Sequence, residues 1–127
     1  MTYLALLLVT KIAVTAVAVA APLLLFSGER VQAVTGFRES DPAVFRLYGV
    51  AIVALLVGYG GGLWQLNTGV VPVGVMLMGL VSNIGAAVMM FVTGIAQKRP
   101  LGAVFFALIG GGFAVFLARP DLALQTL

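Results

Sequence analysis

The chain has 127 residues, of which 62% are hydrophobic and 9% are charged, whereas soluble domains carry roughly 45–50% apolar and about 25% charged residues. A water-soluble globule is therefore excluded, and lipid is the expected solvent. The net charge of +3 indicates orientation in a membrane rather than binding to nucleic acid, and the lack of cysteine and histidine excludes disulfides and the usual protein ligands of zinc and haem.

Four segments are long and apolar enough to form transmembrane helices. A helix needs about 20 apolar residues to cross the roughly 30 Å hydrocarbon layer of a bilayer. The predicted spans cover residues 3–26, 43–66, 71–96 and 101–118. We therefore expect an all-α fold, an integral membrane bundle of four transmembrane helices in a single domain, residues 1–127.

The connections between the spans carry helix-start and turn signals. Asp41 is placed to cap the second span, and Pro42 suits its first turn. The sequence NTG at 67–69 predicts a tight turn before the third span, and 97–100 is a second short turn. The loop 27–42 is longer. It can include a short interfacial turn, because apolar residues recur in it at helical spacing: Val31, Val34 and Phe37.

The first segment resembles a secretory signal peptide only in its small residues, AVAVAAP. No positive charge precedes the apolar run and Lys11 interrupts it, so we expect it to be kept as a span. Four spans place both termini on one side. Five basic residues fall on the opposite side, against Arg119 and Lys11 on the terminal side. The excess predicts cytoplasmic loops, 27–42 and 97–100, and periplasmic termini in a bacterial inner membrane.

Stripes of small residues predict how the spans pack, because lipid gives helices no hydrophobic drive to associate and close backbone approach replaces it. In the fourth span the expected packing face is Ala103, Ala107, Gly111, Ala114 and Ala118. In the third it is Gly79, Asn83, Ala86 and Ala87. In the second it is Ala51, Ala54, Gly58 and either Gly61 or Gly62.

Lys11 lies within about 5 Å of the middle of its span, from the 1.5 Å rise per residue. Three interpretations are open. The side chain can extend along the helix to the nearer surface. It can donate hydrogen bonds inside the bundle, where Thr15 is one turn away and Asn83 lies at similar depth. It can also bind an anion, a lipid headgroup or another subunit, since no intramembrane carboxylate is available to it in this chain.

Three other polar residues complete the candidate set of partner or lipid contacts. Asn83 is expected to form hydrogen bonds between helices. Arg46, one turn into the second span, can reach the cytoplasmic interface or a lipid phosphate. Tyr59 lies deeper and needs a partner for its hydroxyl group, which backbone near the glycine cluster can supply. With Lys11 and Thr15, these are the candidate site residues. No catalytic, cofactor-binding or metal-binding residue is predicted.

The second span opens with Arg46, Leu47, Tyr48 and Gly49, within DPAVFRLYGVAIVALLVGYGGGLWQL, and the third contains GLVSNIGAAVMMFVTGI. These stretches resemble the small four-helix membrane proteins of the DUF4345 and DoxX-like families, which share an Arg-x-Tyr-Gly element at the start of the second helix. The resemblance implies a four-helix bundle in a bacterial inner membrane. It implies no activity.

Two functions are compatible with these residues. The first is a structural or accessory subunit that docks to a larger membrane complex or to copies of itself. The alternative is a small oligomeric transporter or channel for an anionic or small solute, with Lys11, Asn83 and Arg46 lining the path. An enzyme is not expected, because no base of matched pKa adjoins a nucleophile and nothing in the spacing brings Ser82 to Lys11. The expected partners are the lipid bilayer and other membrane subunits.

Overall fold

The computed structural model describes residues 1–36, 38 and 41–126, and this part of the chain is helical, with no strand longer than an isolated bridge. Four helices are long and apolar enough to cross a membrane: Tyr3–Leu25, Pro42–Asn67, Val73–Val92 and Pro100–Ala118. We call them the first to fourth spans. By their length and composition they indicate a multi-pass membrane protein.

The first span contains an irregular turn. It is α-helical over Tyr3–Thr15, π-helical over Ala16–Ala20 and α-helical again over Ala21–Leu25. A π-helical turn has wider i→i+5 hydrogen bonding than an α-helical turn. The spacing of the buried residues changes at this turn. They advance in steps of four, three and four up to Thr15 and then in a step of five to Ala20: Leu4, Leu8, Lys11, Thr15 and Ala20.

The second span begins at the predicted cap. The Asp41 Oδ1 atom accepts from the Ala43 N–H at 2.8 Å, and Pro42 is the first helical residue. The loop before it contains a short helix, Gly28–Thr35. Val31 in this helix is buried, whereas Val34 is exposed, and Phe37 lies outside the described residues. Of the two described apolar side chains named for this segment, Val31 therefore packs against the bundle.

The third span ends earlier than predicted, at Val92 instead of residue 96. Gly94 has a φ of +74°, a left-handed conformation that glycine adopts without a steric penalty and that ends a helix. A separate short helix, Ile95–Lys98, follows it. The fourth span starts at Pro100, and a last short helix, Pro120–Leu124, follows its end.

The third and fourth spans form the closest helix pair, built on aromatic and aliphatic side chains that fill spaces above glycines. The ring of Phe113 lies where a Cβ atom on Gly79 would be, 2.4 Å away, and Ile84 occupies the same position above Gly110 at 2.6 Å. The stripe predicted for the third span is correctly placed, since Gly79, Asn83 and Ala87 are buried. The fit leaves no room for a larger residue at either glycine.

The stripe predicted for the fourth span is mostly wrong. Ala103 is buried as predicted, but Ala107, Ala114 and Ala118 are exposed, and the rest of the buried face is Ile109, Gly110 and Phe113. The stripe of the second span is also mostly outward, because Ala51, Ala54 and Gly61 are exposed and only Gly62 is buried. The rotation of the fourth span follows from two contacts with the third span: the Phe113 ring above Gly79, and Ile84 above Gly110, a glycine outside the predicted stripe.

The two chain ends meet at one end of the bundle. Thr2 and Thr126 form an isolated bridge, and the Tyr3 N–H donates to the Gln125 carbonyl at 3.1 Å. Ala123 of the last short helix is fully buried against the main core. The short helices Gly28–Thr35 and Ile95–Lys98 follow the C-terminal ends of the first and third spans. They therefore lie at the end of the bundle opposite to the chain termini, as expected for an even number of spans.

Candidate functional site

Lys11 is buried in the interior of the bundle. Only 4% of its surface is exposed, and its Nζ atom donates to the Asn83 Oδ1 atom at 2.6 Å. The same Nζ atom lies 4.7 Å from the ring centre of Phe106 and 5.5 Å from that of Phe105. Aromatic faces within about 6 Å attract a cation. Of the three interpretations of Lys11, a side chain that donates inside the bundle describes this geometry, and one extended to the surface does not.

The helix geometry of the first and third spans explains this contact. Leu4, Leu8, Lys11 and Thr15 share one face of the first span and are all buried. Residues at such spacings stack above one another on a helix. Asn83 lies on the buried face of the third span, one turn from Gly79. The packing of aliphatic neighbours on both faces thus fixes the rotation that brings the ammonium group to the amide.

Asn83 connects Lys11 to a hydrogen-bond network. Its Nδ2 group donates to the Gly79 carbonyl at 2.7 Å and reaches the Tyr59 hydroxyl and the Ser82 Oγ atom, each at 3.3 Å. Tyr59 and Ser82 are 3.0 Å apart, and the Tyr59 ring is stacked on Phe113 at 6.1 Å. Three spans are joined through one amide side chain.

Tyr59 and Ser82 have their hydrogen-bond partners within this network. The Ser82 Oγ atom is 3.3 Å from the Gly79 carbonyl and 3.0 Å from the Tyr59 hydroxyl, and either hydroxyl group can donate in that pair. Lys11 has three N–H groups, and Asn83 is its one hydrogen-bond acceptor in the described part of the chain. Two N–H groups of the ammonium remain available to a ligand.

Thr15 is the second group with unused hydrogen-bonding capacity. It is 3% exposed, and its Oγ1 atom has no hydrogen-bond partner among the described residues. Buried hydroxyl groups in helices commonly donate to the carbonyl one turn earlier, and Thr35 and Thr93 of this chain do so. Thr15 immediately precedes the π-helical turn and lacks that bond.

Lys11 and Thr15, the two residues with unused hydrogen-bonding groups, both line a cavity of about 240 Å³. The wall is mainly apolar. It is formed by side chains from all four spans: Lys11, Thr15, Val19, Tyr48, Ala51, Ile52, Leu55, Leu56, Tyr59, Ser82, Ala86 and Phe106. Within residues 1–36, 38 and 41–126, no acidic side chain forms a salt bridge with Lys11, and no group of three metal-ligating residues occurs.

Arg46 has a different environment from the one expected. Its Nη1 atom donates to the Leu23 carbonyl and its Nη2 atom to the Phe26 carbonyl, both at 2.8 Å. These carbonyls belong to the end of the first span, where a helix has acceptors without intrahelical partners and a partial negative charge. Arg46 therefore caps the first span within the chain, a role that the sequence did not predict, and its contact with the interface or a lipid phosphate stays a prediction.

Sequence reasoning missed two contributors to the site. The hydroxyl partner of Tyr59 is Ser82, with Asn83 beside it, and not backbone near the glycine cluster. Phe105 and Phe106 were not named. No signal in the sequence marks them, because the rotation that turns these rings towards Lys11 does not follow from counting residues.

Comparison with known proteins identifies no relative of this chain. No protein family, curated protein or solved structure matches it. The likeness to the DUF4345 and DoxX-like families therefore stays a prediction based on the Arg46–Gly49 element and its surroundings. What the chain does has to be argued from the site itself.

Proposed function

We propose that this chain is a multi-pass protein of a bacterial inner membrane that binds a small anionic solute inside its helix bundle. One observation carries the proposal. Lys11, 4% exposed, lines a cavity of about 240 Å³ and has N–H groups without an acceptor in the described part of the chain. A cation in an apolar interior is costly unless it is paired. An anionic ligand would supply the missing charge.

The aromatic rings and the amide explain how the cation is tolerated between binding events. Asn83 offers a dipole at 2.6 Å and Phe106 a ring face at 4.7 Å. Neither neutralises the charge, so an anion entering the cavity is attracted by an ammonium group in surroundings of lower dielectric constant than water. This arrangement suits reversible binding better than a permanent internal salt bridge would.

A thermal-shift experiment on the purified protein tests the proposal. We expect at least one of acetate, benzoate, chloride and phosphate to raise the Tm, because a ligand that binds the folded state stabilises it. The shift should disappear in Lys11→Met and persist in Lys98→Met, a matched exchange at an exposed lysine. Anions that leave the Tm unchanged, or a shift that survives in Lys11→Met, would exclude an anion site at this residue.

The proposed orientation has loops 27–42 and 97–100 in the cytoplasm and the termini in the periplasm. Arg30, Arg38, Arg46, Lys98 and Arg99 on the loop side support it. Because the chain has no cysteine, single cysteines at Arg30 and at Gln125 can be labelled in whole cells with a membrane-impermeant maleimide. Labelling at position 125 alone is expected, and labelling at position 30 alone would reverse the orientation.

An accessory role is the second candidate, and the outer surface of the second span favours it. The most apolar stretch of this span is 17% buried, the lowest share of the four. Gly60 and Gly61 on it have open space where a Cβ atom would be, and Trp64 is 68% exposed. Glycines on an outer surface allow another helix to approach closely.

We propose a second copy of the chain as the partner at this surface. Disulfide trapping of Gly61→Cys in native membranes should give a dimer, and Gly85→Cys, also exposed with open space, serves as the control. A monomer at position 61, together with purification of a lone chain in mild detergent, would argue against an accessory role. Neither result bears on the anion site.

A further inference from the structure

We propose that the ligand of the Lys11 cavity is a hydrophobic monocarboxylate, such as a fatty acid, which enters sideways between the second and third spans. This inference rests on the proposed function, because it names the chemical class of the anion and the route by which it arrives.

The unused groups set the chemistry of the headgroup. Two N–H groups of Lys11 and the O–H group of Thr15 are donors without a partner in the described part of the chain. The hydroxyl groups of Tyr59 and Ser82 already have hydrogen-bond partners in the network around Asn83. The ligand must therefore accept hydrogen bonds. One positive charge and about three donors match the single charge and two oxygens of a carboxylate.

A doubly charged phosphate group fits this site less well. Its three oxygens would face one cation, and the excess negative charge would remain in an apolar interior, which is unfavourable. Arginine pairs or several backbone N–H groups usually supply the donors for phosphate. Arg46 is not available for this, because both of its terminal nitrogens bind backbone carbonyls of the first span.

The wall of the cavity sets the chemistry of the rest of the ligand. Val19, Ile52, Leu55, Leu56 and Phe106 surround the space beside Lys11 and Thr15. These side chains offer no hydrogen bonds, so a hydrated anion would exchange its water shell for the donors of Lys11 and Thr15 alone. An alkyl or aryl chain attached to the carboxylate would instead bury apolar surface against them. A small inorganic anion lacks this contribution.

The helix contacts locate the entrance. The second and third spans touch near the turn that joins them, where Gly58 meets Met78 and Gly62 meets Val75. Towards the other end of the bundle both spans line the cavity, through Ala51 and Ala86. Ala51 and Tyr48 belong to the cavity wall and are also exposed on the outer surface. The cavity therefore opens sideways between these two helices.

The dimensions leave room for the headgroup and part of a chain. At 1.5 Å rise per residue, the 11 residues from Tyr59 to Tyr48 span about 16 Å along the second span. The volume of about 240 Å³ is below the roughly 300–1,000 Å³ of pockets that enclose drug-sized ligands. The carboxylate and its first carbons would occupy the cavity, and the remaining chain would extend through the opening among the lipid tails.

Binding of radiolabelled laurate to the protein in phosphatidylcholine nanodiscs tests the inference. We expect saturable binding, with competition by unlabelled laurate but not by equal concentrations of acetate or dodecanol. Acetate has the headgroup without the chain, and dodecanol has the chain without the charge. The comparison therefore separates the contribution of the charge from that of the apolar wall.

Matched variants connect the binding to the named residues. Lys11→Met should weaken laurate binding by about tenfold or more, the scale of a lost charge-assisted hydrogen bond. Thr15→Val should weaken it less, by about threefold, with exposed Thr10→Val as its control. Ala51→Trp fills the opening without touching the polar network and should block binding. Ala54→Trp, exposed on the same helix and outside the cavity, should not.

The outcomes separate this inference from the proposed function. Acetate that competes as well as laurate supports an anion site and overturns the hydrophobic ligand. Dodecanol that competes as well as laurate overturns the role of the charge and with it both proposals. Laurate binding that persists in Ala51→Trp overturns the sideways route. No saturable binding of laurate, in protein whose Tm still responds to a small anion, overturns the inference alone.

Discussion

The ammonium group of Lys11 and the amide of Asn83 are 2.6 Å apart in space and 72 residues apart in the chain. Because Asn83 also donates to the Gly79 carbonyl and to Tyr59, one side chain holds a buried cation and two neighbouring helices. The loss of the Asn83 side chain should therefore destabilise the contacts among the first three spans.

Asn83→Ala is expected to lower the free energy of unfolding by about 2–3 kcal/mol, because it leaves a buried ammonium group without its acceptor. Equilibrium unfolding by sodium dodecyl sulfate in mixed micelles measures this change. Thr93→Ala is the control, since Thr93 is exposed and bonds to a carbonyl of its own helix; a loss there within about 0.5 kcal/mol is expected. Equal losses at the two positions would contradict a central role for Asn83.

The double variant Lys11→Met with Asn83→Leu should be more stable than the sum of the single variants predicts. Replacing both partners of a buried polar pair with apolar groups of similar size is often neutral, whereas removing one partner leaves the other unpaired. We expect the double variant to unfold within about 1 kcal/mol of the natural chain. The same protein should show no Tm response to anions.

That combination of results would separate stability from function. A chain that folds as well with methionine and leucine does not need lysine at this depth for folding, so the charge must serve another purpose. If the double variant instead unfolds as readily as Asn83→Ala, the pair is a structural requirement of the bundle and the argument for an anion site is weaker.

Gly79→Ala is expected to destabilise the bundle by about 1–3 kcal/mol through overpacking. The added methyl group would lie 2.4 Å from the Phe113 ring, and that ring is held in place by its stacking on Tyr59. Gly85→Ala, on the same helix with open space around it, should be neutral or stabilising by about 0.5–1 kcal/mol, because alanine loses less entropy in a helix.

Arg46→Met should lower the free energy of unfolding by about 1–2 kcal/mol, because it removes two hydrogen bonds to the end of the first span. Arg46→Lys should recover part of the loss. A lysine keeps the positive charge but cannot reproduce two parallel bonds from one planar group. The exposed Arg30→Met is the control. Full recovery by lysine would show that charge alone matters.

The sequence predicted the four helices well because length and hydropathy are local properties. The cap at Asp41, the helix starts at Pro42 and Pro100 and the turn at 67–69 also depend on neighbouring residues only. The end of the third span was missed because Gly94, in a left-handed conformation, is one of 16 glycines in the chain, and most of the others continue their helices.

The candidate site could be predicted in part. Depth along a span follows from counting residues, so Lys11 and Asn83 could be placed at one level. Rotation about the helix axis does not follow from counting residues, and this rotation determined which side chains face Lys11. The Phe113 ring above Gly79 turned the fourth span away from its predicted stripe, and the same packing brought Phe105 and Phe106 beside Lys11.

Because of the π-helical turn at Ala16–Ala20, the inward face of this continuous helix has one rotation about the helix axis before the turn and another after it. An extra residue in a turn shifts everything beyond it by about 100° around the axis. Before the turn, the inward face presents Lys11 and Thr15; after it, the inward face presents Leu23, packed with Val31 and Phe45. The number of residues in this turn, more than their identity, therefore determines which neighbours the two halves of the helix contact, the half with Lys11 and the half with Leu23.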